Sequence, residues 1–434
     1  MHHFTDKNGI LHAEDVPLTD IAEAVGTPCF VYSAATFKRH VRVFTEALAG
    51  AGVPHLVCYA MKANSNQAIL SLVSRLGAGM DVVSGGELMR ALKAGVPADK
   101  IVFSGVGKTD EELAAALDAG IYCFNAESES ELHALSAIAA QMGRTAPVSL
   151  RVNPDVEART HAKIATGAKE TKFGIPASRA REIYAEAAAM PGLKVSGVDM
   201  HIGSQITSLE PFDAAFEVMG DLLDMLRADG HAITHIDLGG GLGVPYEDGR
   251  TPPPRPEDYA ALVARHSNRF GCKIIVEPGR AIAANAGILL TRVIHRKAGE
   301  AKTFIVVDAA MNDLIRPTLY DAHHDIFPVE ARSGEEIVDV VGPVCETGDY
   351  LALSRQMART DRGDLLAVMA AGAYGAVQSG TYNTRTLAPE VLVSGDKFAV
   401  VRKPMPPAEQ IARDNVPDWI AEAARAETVS AHEG

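Results

Sequence analysis

Short apolar runs alternate with longer alanine-rich stretches of helical period between residues 55 and 280. The runs HLVCYAMKA (55–63), GMDVVSG (79–85), KIVFSGV (100–106), IYCFNAES (121–128), PVSLRVNP (147–154), VSGVDMHIG (195–203), HIDLGGG (235–241) and KIIVEPGR (273–280) read as eight strands. They are nearly continuous in apolar residues, as strands covered on both faces must be. Between them, segments such as NQAILSLVSRLG (66–77), GELMRALKAG (86–95), DEELAAALDAG (110–120) and SELHALSAIAAQMG (130–143) place apolar residues at helical spacing. Eight β/α repeats predict an α/β protein built on a closed (β/α)8 TIM-type barrel, for which about 250 residues is typical. An open doubly wound sheet is the competing arrangement.

Beyond residue 281 the pattern changes to TRVIHRK, KTFIVVDAA, EIVDVVGPV, GDLLAVMAAGAYG and EVLVSGDKFAVV, strand-like runs with few helices between them. They predict a mostly β C-terminal domain. One strand in GTPCFVYSAATF (26–37) precedes the barrel and can join that sheet. The expected division is a barrel over 34–280, a β domain from 1–33 with 281–420, and a flexible tail over 421–434. PPPRP (252–256) reads as a rigid loop inside the barrel.

Composition narrows the partners. The chain has 434 residues, 47% hydrophobic and 22% charged, with a net charge of −14 spread along its length. Such a surface repels nucleic acid and anionic membrane, which leaves a small molecule as the expected partner. No apolar run approaches the ~18 residues of a membrane span, and MHHFTDKNGI carries no leader pattern, so a cytoplasmic protein is expected. The five cysteines are far apart and contain no CxxC pair, which argues against a disulfide framework or a zinc site. Cys58, Cys123 and Cys272 lie in or beside apolar runs and read as inert core. His323 and His324 beside Asp325 suggest a metal only if further ligands exist; an exposed loop is the expectation, and no metal is assigned.

Candidate chemistry sits where the predicted strands finish, because all eight C-terminal ends of such a barrel open onto one face. Those ends carry Lys62, Asp81, Ser104, Asn125, Asn153, His201, Gly239, Gly240, Gly241, Glu277 and Arg280. Three glycines directly after a strand expose backbone N–H groups that form an anion-binding concavity. A dinucleotide fingerprint would need a helix at that point, but PYEDGRTPPPRP follows. Arg280 suits a phosphate or carboxylate, Ser204 can donate to the same phosphate, and Glu277 is left for another partner. A lysine able to form an imine, a phosphate nest, a carboxylate and a flat histidine ring together suit pyridoxal 5'-phosphate.

In this order YAMKAN, HIGSQ, GGGLG, EPGR, CETGD and AGAYG resemble the fold-type III pyridoxal-phosphate decarboxylases, and within them the diaminopimelate decarboxylases. The likeness runs from GTPCFVYS into the C-terminal domain. It implies that Lys62 holds the cofactor covalently, that His201 stacks on its ring and that Glu277 pairs with the ring nitrogen. Ser204, Gly239, Gly240, Gly241 and the Glu277-Pro278-Gly279-Arg280 turn would take the phosphate. By the same resemblance Arg280, Arg316 and Tyr320 contact the substrate, Cys345 donates a proton, Glu346 binds an ammonium group, and Tyr374 touches cofactor and substrate. Cys345 and Glu346 would act across the interface of a homodimer with shared active sites. The implied reaction is decarboxylation of meso-2,6-diaminopimelate to L-lysine and carbon dioxide. Alternatives are a decarboxylase of ornithine, arginine or carboxynorspermidine, and a noncatalytic cofactor-binding regulatory homologue; alanine racemase shares the architecture but is disfavoured by Cys345. VEARTHAKIATGAKETKFGI (156–175) resembles a mobile lid, with Ala162 and Lys163 where proline and tyrosine are common.

Overall fold

The computed structural model describes residues 2–158, 160–167, 171–247 and 252–420. Eight strands, His55–Ala60, Gly79–Val82, Ile101–Phe103, Cys123–Ala126, Ala146–Asn153, Leu193–Asp199, His235–Asp237 and Lys273–Val276, pair in parallel in chain order. The eighth also pairs with the first, Ile274 opposite His55, so the sheet closes and the open doubly wound alternative is excluded. A two-residue strand, Ile175–Pro176, is added beside the end of the fifth.

The strands are shorter than the apolar runs suggest. Their ladders stop at residues 60, 199, 237 and 276, and the chemistry-bearing residues hang on the turns that follow. Lys62 lies in a 3-10 turn, Met61–Ala63, rather than on the strand itself. Met61 and Ala63 are buried there, so the apolar pattern continues past the last ladder bond.

Helices close each repeat for local reasons. Asp110–Ala119 starts at Thr109, whose hydroxyl accepts from the Glu112 N–H while the Glu112 carboxylate returns to the Thr109 N–H. It ends at Gly120, in the left-handed region at φ 71°. The helix buries Leu113, Ala116 and Leu117 against the barrel.

The strand Cys29–Ser33 pairs antiparallel with Gly287–Ala298 and parallel with Glu390–Ser394. The expected transfer of this N-terminal strand into the C-terminal sheet is therefore present. That sheet runs Tyr350–Ala358, Glu335–Val341, Thr303–Val307, Gly287–Ala298, Cys29–Ser33, Glu390–Ser394, Lys397–Arg402. Three features fall outside the sequence expectation: the strands Tyr350–Ala358 and Ile326–Pro328, and a three-stranded sheet of Phe4–Lys7, Ile10–Ala13 and Val16–Pro17. One apolar core runs from Phe103 and Phe124 of the barrel to Val307, Val340 and Leu366 of the β sheet, which fixes the sheet against the barrel mouth. The expected tail over 421–434 lies outside the described residues.

Candidate active site

Lys62 sits at the mouth with its side chain 38% exposed, and its Nζ donates to Asp81 Oδ2 at 2.6 Å. Asp81, on the second strand, is fully buried, and its Oδ1 has no hydrogen-bond partner among the described residues. Burial works against the ammonium form, but the carboxylates of Asp81 and Glu277 outweigh it and raise the Lys62 pKa above the ordinary lysine value.

Beneath the lysine lies a layer of buried acids. Glu277 accepts from Ser104 Oγ at 3.3 Å. Asn125 Nδ2 donates to Ser104 Oγ at 3.2 Å and to Asp237 Oδ2 at 3.5 Å. Asp237 Oδ1 accepts the Gly239 N–H at 2.9 Å. Burial, followed by the charges of Asp237 and Asp81, lifts Glu277 well above the usual carboxylate range. Burial also pushes Asp237 up to about 6, although the Gly239 N–H opposes it. Like charges crowded in low dielectric retain protons, so Glu277 keeps its proton to a higher pH than an ordinary carboxyl does.

The glycine turn follows. Gly239 and Gly241 have φ of 64° and 112°, which favours glycine. The Gly240 N–H donates to His201 Nδ1 at 3.3 Å. Burial and the nearby Arg151 and Lys62 cations hold the His201 pKa well below its ordinary value, so the ring is neutral. Arg280 Nε and Nη2 reach Ser204 Oγ at 3.2 and 3.0 Å, and its Nη1 reaches Tyr246 Oη at 2.6 Å. Its guanidinium lies 4.9 Å from the centre of the Tyr374 ring. Arg316, also buried, rests 4.6 Å from the centre of the Tyr246 ring. Among the described residues no carboxylate pairs with Arg280 or Arg316, and the buried Nε of Arg316 has no partner.

One cavity is lined by Lys62, His201, Ser204, Gly239, Gly240, Gly241, Glu277, Pro278, Gly279, Arg280, Arg316, Tyr320 and Tyr374. The residues expected from the strand ends and from the RPTLY and AGAYG segments thus converge. Cys345 and Glu346 do not join them. Both are exposed on the turn between Glu335–Val341 and Tyr350–Ala358, which Asp349 pins by accepting the Met311 and Val344 N–H groups at 2.6 Å. Asn153 ends the fifth strand outside the cavity lining and accepts the Asp155 N–H at 2.9 Å.

Two expectations need correction. Cys58 and Cys123 are buried, and burial pushes the Cys123 thiol to about 12, but Cys272 is only half-buried because it follows the helix-ending Gly271 before the eighth strand. His324 is not on an exposed loop: it is fully buried, with both ring nitrogens hydrogen-bonded. Tyr246 and Asp237 also belong to the site and were not singled out from the sequence. From the 156–175 segment, Thr160 donates to Ser204 O at 2.7 Å, Thr166 to His201 O at 3.0 Å and Lys163 Nζ to Leu319 O at 2.8 Å. Residues 159 and 168–170 of that segment lie outside the described residues.

The arrangement has a polarity. Acids surround Lys62 and the cavity floor, while two guanidiniums at the glycine turn and its neighbour have only neutral partners. Pyridoxal phosphate fits this polarity, with an imine-forming carbonyl for the lysine, a basic ring nitrogen for the raised-pKa carboxyl of Glu277 and a phosphate for Arg280, Ser204 and the glycine N–H groups.

The pyridoxal-binding domain of the pyridoxal-dependent decarboxylases matches residues 34–284. Diaminopimelate decarboxylase of Pseudomonas fluorescens is 52% identical over 418 residues, 96% of this chain and 99% of the relative. That of Zymomonas mobilis is 49% identical over 418 residues with the same coverage. Among solved structures, diaminopimelate decarboxylase from M. jannaschii in co-complex with L-lysine superposes with a TM-score of 0.92 at 36% identity, covering 96% of this chain and 99% of that one. The matches extend almost end to end: the chain belongs to the pyridoxal-dependent decarboxylases and uses pyridoxal phosphate as its cofactor.

Proposed function

We propose that this chain converts meso-2,6-diaminopimelate to L-lysine and carbon dioxide, in the cytoplasm, as a homodimer with shared active sites. The observation that carries the substrate is Arg316: a buried guanidinium in the Lys62 cavity with no acid partner among the described residues and an unpartnered Nε. Burial lowers the Arg316 pKa, so the site favours a ligand that brings a negative charge to it. The carboxylate retained in lysine supplies that charge.

Pyridoxal phosphate supplies an electrophilic carbon for the substrate amine and a ring that accepts the electron pair left when carbon dioxide departs. The glycine turn, Ser204 and Arg280 would hold the phosphate. Glu277, with its raised pKa, would hold a proton for the ring nitrogen, and the neutral His201 ring, which lines the same cavity, would pack against the cofactor. Lys62 must lose a proton before its nitrogen can act as a nucleophile, and Asp81, 2.6 Å away, orients that nitrogen at the mouth of the cavity. Loss of carbon dioxide leaves an electron pair on the α-carbon, and one proton must return there. Within one chain no thiol lines the cavity, and the exposure of Cys345 and Glu346 supports their insertion from a partner subunit as proton donor and ammonium ligand.

The rival substrates ornithine, arginine and carboxynorspermidine would leave Arg316 facing no carboxylate. Sites that leave a buried polar group unpaired reject such analogues by roughly 10⁴. The test is carbon dioxide release by the cofactor-loaded protein from all four compounds side by side. Arg316→Ala should lower kcat/KM for meso-diaminopimelate by roughly 10² or more while cofactor absorbance is retained. A preference for one of the other three, or an unaffected variant, refutes the assignment; no release from any supports the noncatalytic alternative.

A further inference from the structure

His324 lies eight residues after Arg316, beyond the short helix Arg316–Tyr320, and its two ring nitrogens face different partners. Nδ1 is 2.7 Å from the Met369 carbonyl oxygen, which can only accept. Nε2 is 2.8 Å from Arg316 Nη1, which can only donate. Both contacts are satisfied by one form of the ring, neutral with its proton on Nδ1. Burial, reinforced by Arg316, holds the His324 pKa well below its ordinary value, in keeping with that form. The Tyr246 ring meets His324 edge-on with centroids 5.3 Å apart, and Arg355 Nη1 donates to the His324 carbonyl at 2.6 Å. Arg280, Arg316 and His323 oppose the imidazolium; the Met369 carbonyl favours it, but burial and these groups outweigh it.

We propose that His324 is a positioning residue for substrate selection: an uncharged acceptor that fixes one edge of the Arg316 guanidinium and leaves its charge for a substrate carboxylate. An aspartate or glutamate in its place would orient Arg316 equally well, but would neutralise it and compete with the incoming carboxylate. An apolar residue would leave Nη1 without a partner and the guanidinium free to turn. Arg280 is treated in the same way, since its acceptors, Ser204 and Tyr246, are both hydroxyls. This assignment rests on the reading that the retained carboxylate of diaminopimelate sits on Arg316.

The test compares two inhibitors of the cofactor-loaded protein, L-lysine and 1,5-diaminopentane, which differ only by that carboxylate. The wild-type protein should bind L-lysine more tightly. In His324→Leu, inhibition by L-lysine should weaken roughly tenfold or more, with a matching rise in KM for meso-diaminopimelate, while inhibition by the diamine changes less than about twofold. His324→Gln, whose amide can donate to Met369 O and accept from Arg316, should restore most of the difference. Equal weakening toward both inhibitors in the leucine variant means a packing role and overturns the proposal, as does a glutamine variant that behaves like leucine. Wild-type protein that releases no carbon dioxide from meso-diaminopimelate overturns the underlying reading instead. Wild-type turnover with an unchanged lysine-to-diamine ratio in His324→Leu overturns the role of His324 alone.

Discussion

A methyl group on Gly240 would lie 2.3 Å from the carbonyl oxygen of Glu277 and 3.2 Å from its carbonyl carbon. That is about 0.7 Å inside the 3.0 Å limit that real Cβ contacts almost never breach, and the obstacle is backbone rather than a side chain that could rotate away. The two segments are already tied, since the Glu277 N–H donates to Gly239 O at 2.7 Å and the Gly240 N–H to His201 at 3.3 Å. Gly240→Ala must therefore push the glycine turn away from the strand end that carries Glu277. Overpacking of this kind costs about 1–3 kcal/mol, and sub-ångström misplacement of positioned groups can cost up to ~10²-fold in function. Gly86→Ala is the control: its new methyl meets only Ser84 Oγ at 3.8 Å, and it lies within the helix Gly85–Lys93, where alanine gains up to about 1 kcal/mol over glycine. Apoprotein of each variant would be titrated with pyridoxal phosphate by absorbance and melted without it. Gly240→Ala should bind the cofactor about ten- to a hundredfold more weakly and melt lower, while Gly86→Ala binds normally. A Gly240→Ala protein with wild-type melting and an affinity within twofold would refute the reasoning.

Asp237 gives a pH signature. Its pKa near 6 lies above the ordinary 3.8, so its stabilising contribution is complete below about pH 4 and is lost as pH rises through 6. Asp237→Asn, which keeps an acceptor for the Gly239 N–H, should flatten the fall in apoprotein melting temperature between pH 5 and 8 and raise it at pH 8; a profile parallel to wild type would contradict this. Shared sites predict complementation: Lys62→Ala and Cys345→Ala should each be nearly inactive, and random reassociation should recover up to about a quarter of wild-type turnover. No recovery on mixing, with exchange verified by mass, would place Cys345 outside the partner's site.

The barrel was legible because parallel strands covered on both sides leave uninterrupted apolar runs, and the eight runs named from the sequence each overlap one of the eight barrel strands. Their ends were not legible, because Met61 and Ala63 stay buried in the core shared by barrel and β sheet after the ladder has stopped. The N-terminal sheet had a signal that the apolar pattern passes over: Asn8-Gly9, at φ of 56° and 81°, joins Phe4–Lys7 to Ile10–Ala13. That is the asparagine-glycine turn of a tight hairpin, but only Phe4 and Ala13 of its two four-residue strands are buried. Tyr350–Ala358 was hidden for a different reason. Ser354 takes a φ of 48° and the register with Glu335–Val341 shifts twice, so alternation of apolar and polar residues fails along the strand.

The same distinction separates the site residues that the sequence revealed from those it did not. Lys62, His201, the glycines, Glu277 and Arg280 follow strand ends, where barrel geometry alone predicts convergence. Asp237, Tyr246 and His324 act through other residues: one anchors Gly239, one accepts from Arg280 and one accepts from Arg316. Asp237 does end the seventh strand, but no spacing rule finds Tyr246 or His324, because what they satisfy is a hydrogen bond rather than a periodic face. Their chemistry nevertheless has an order. Lys62, whose ammonium form the site stabilises, is given carboxylates, whereas the cations that must receive anions, Arg280 and Arg316, are given hydroxyls and a neutral imidazole. Exchanging those partners would preserve every hydrogen bond and remove the attraction for phosphate and carboxylate, so the choice of neutral acceptors is itself part of how the pocket selects its ligands.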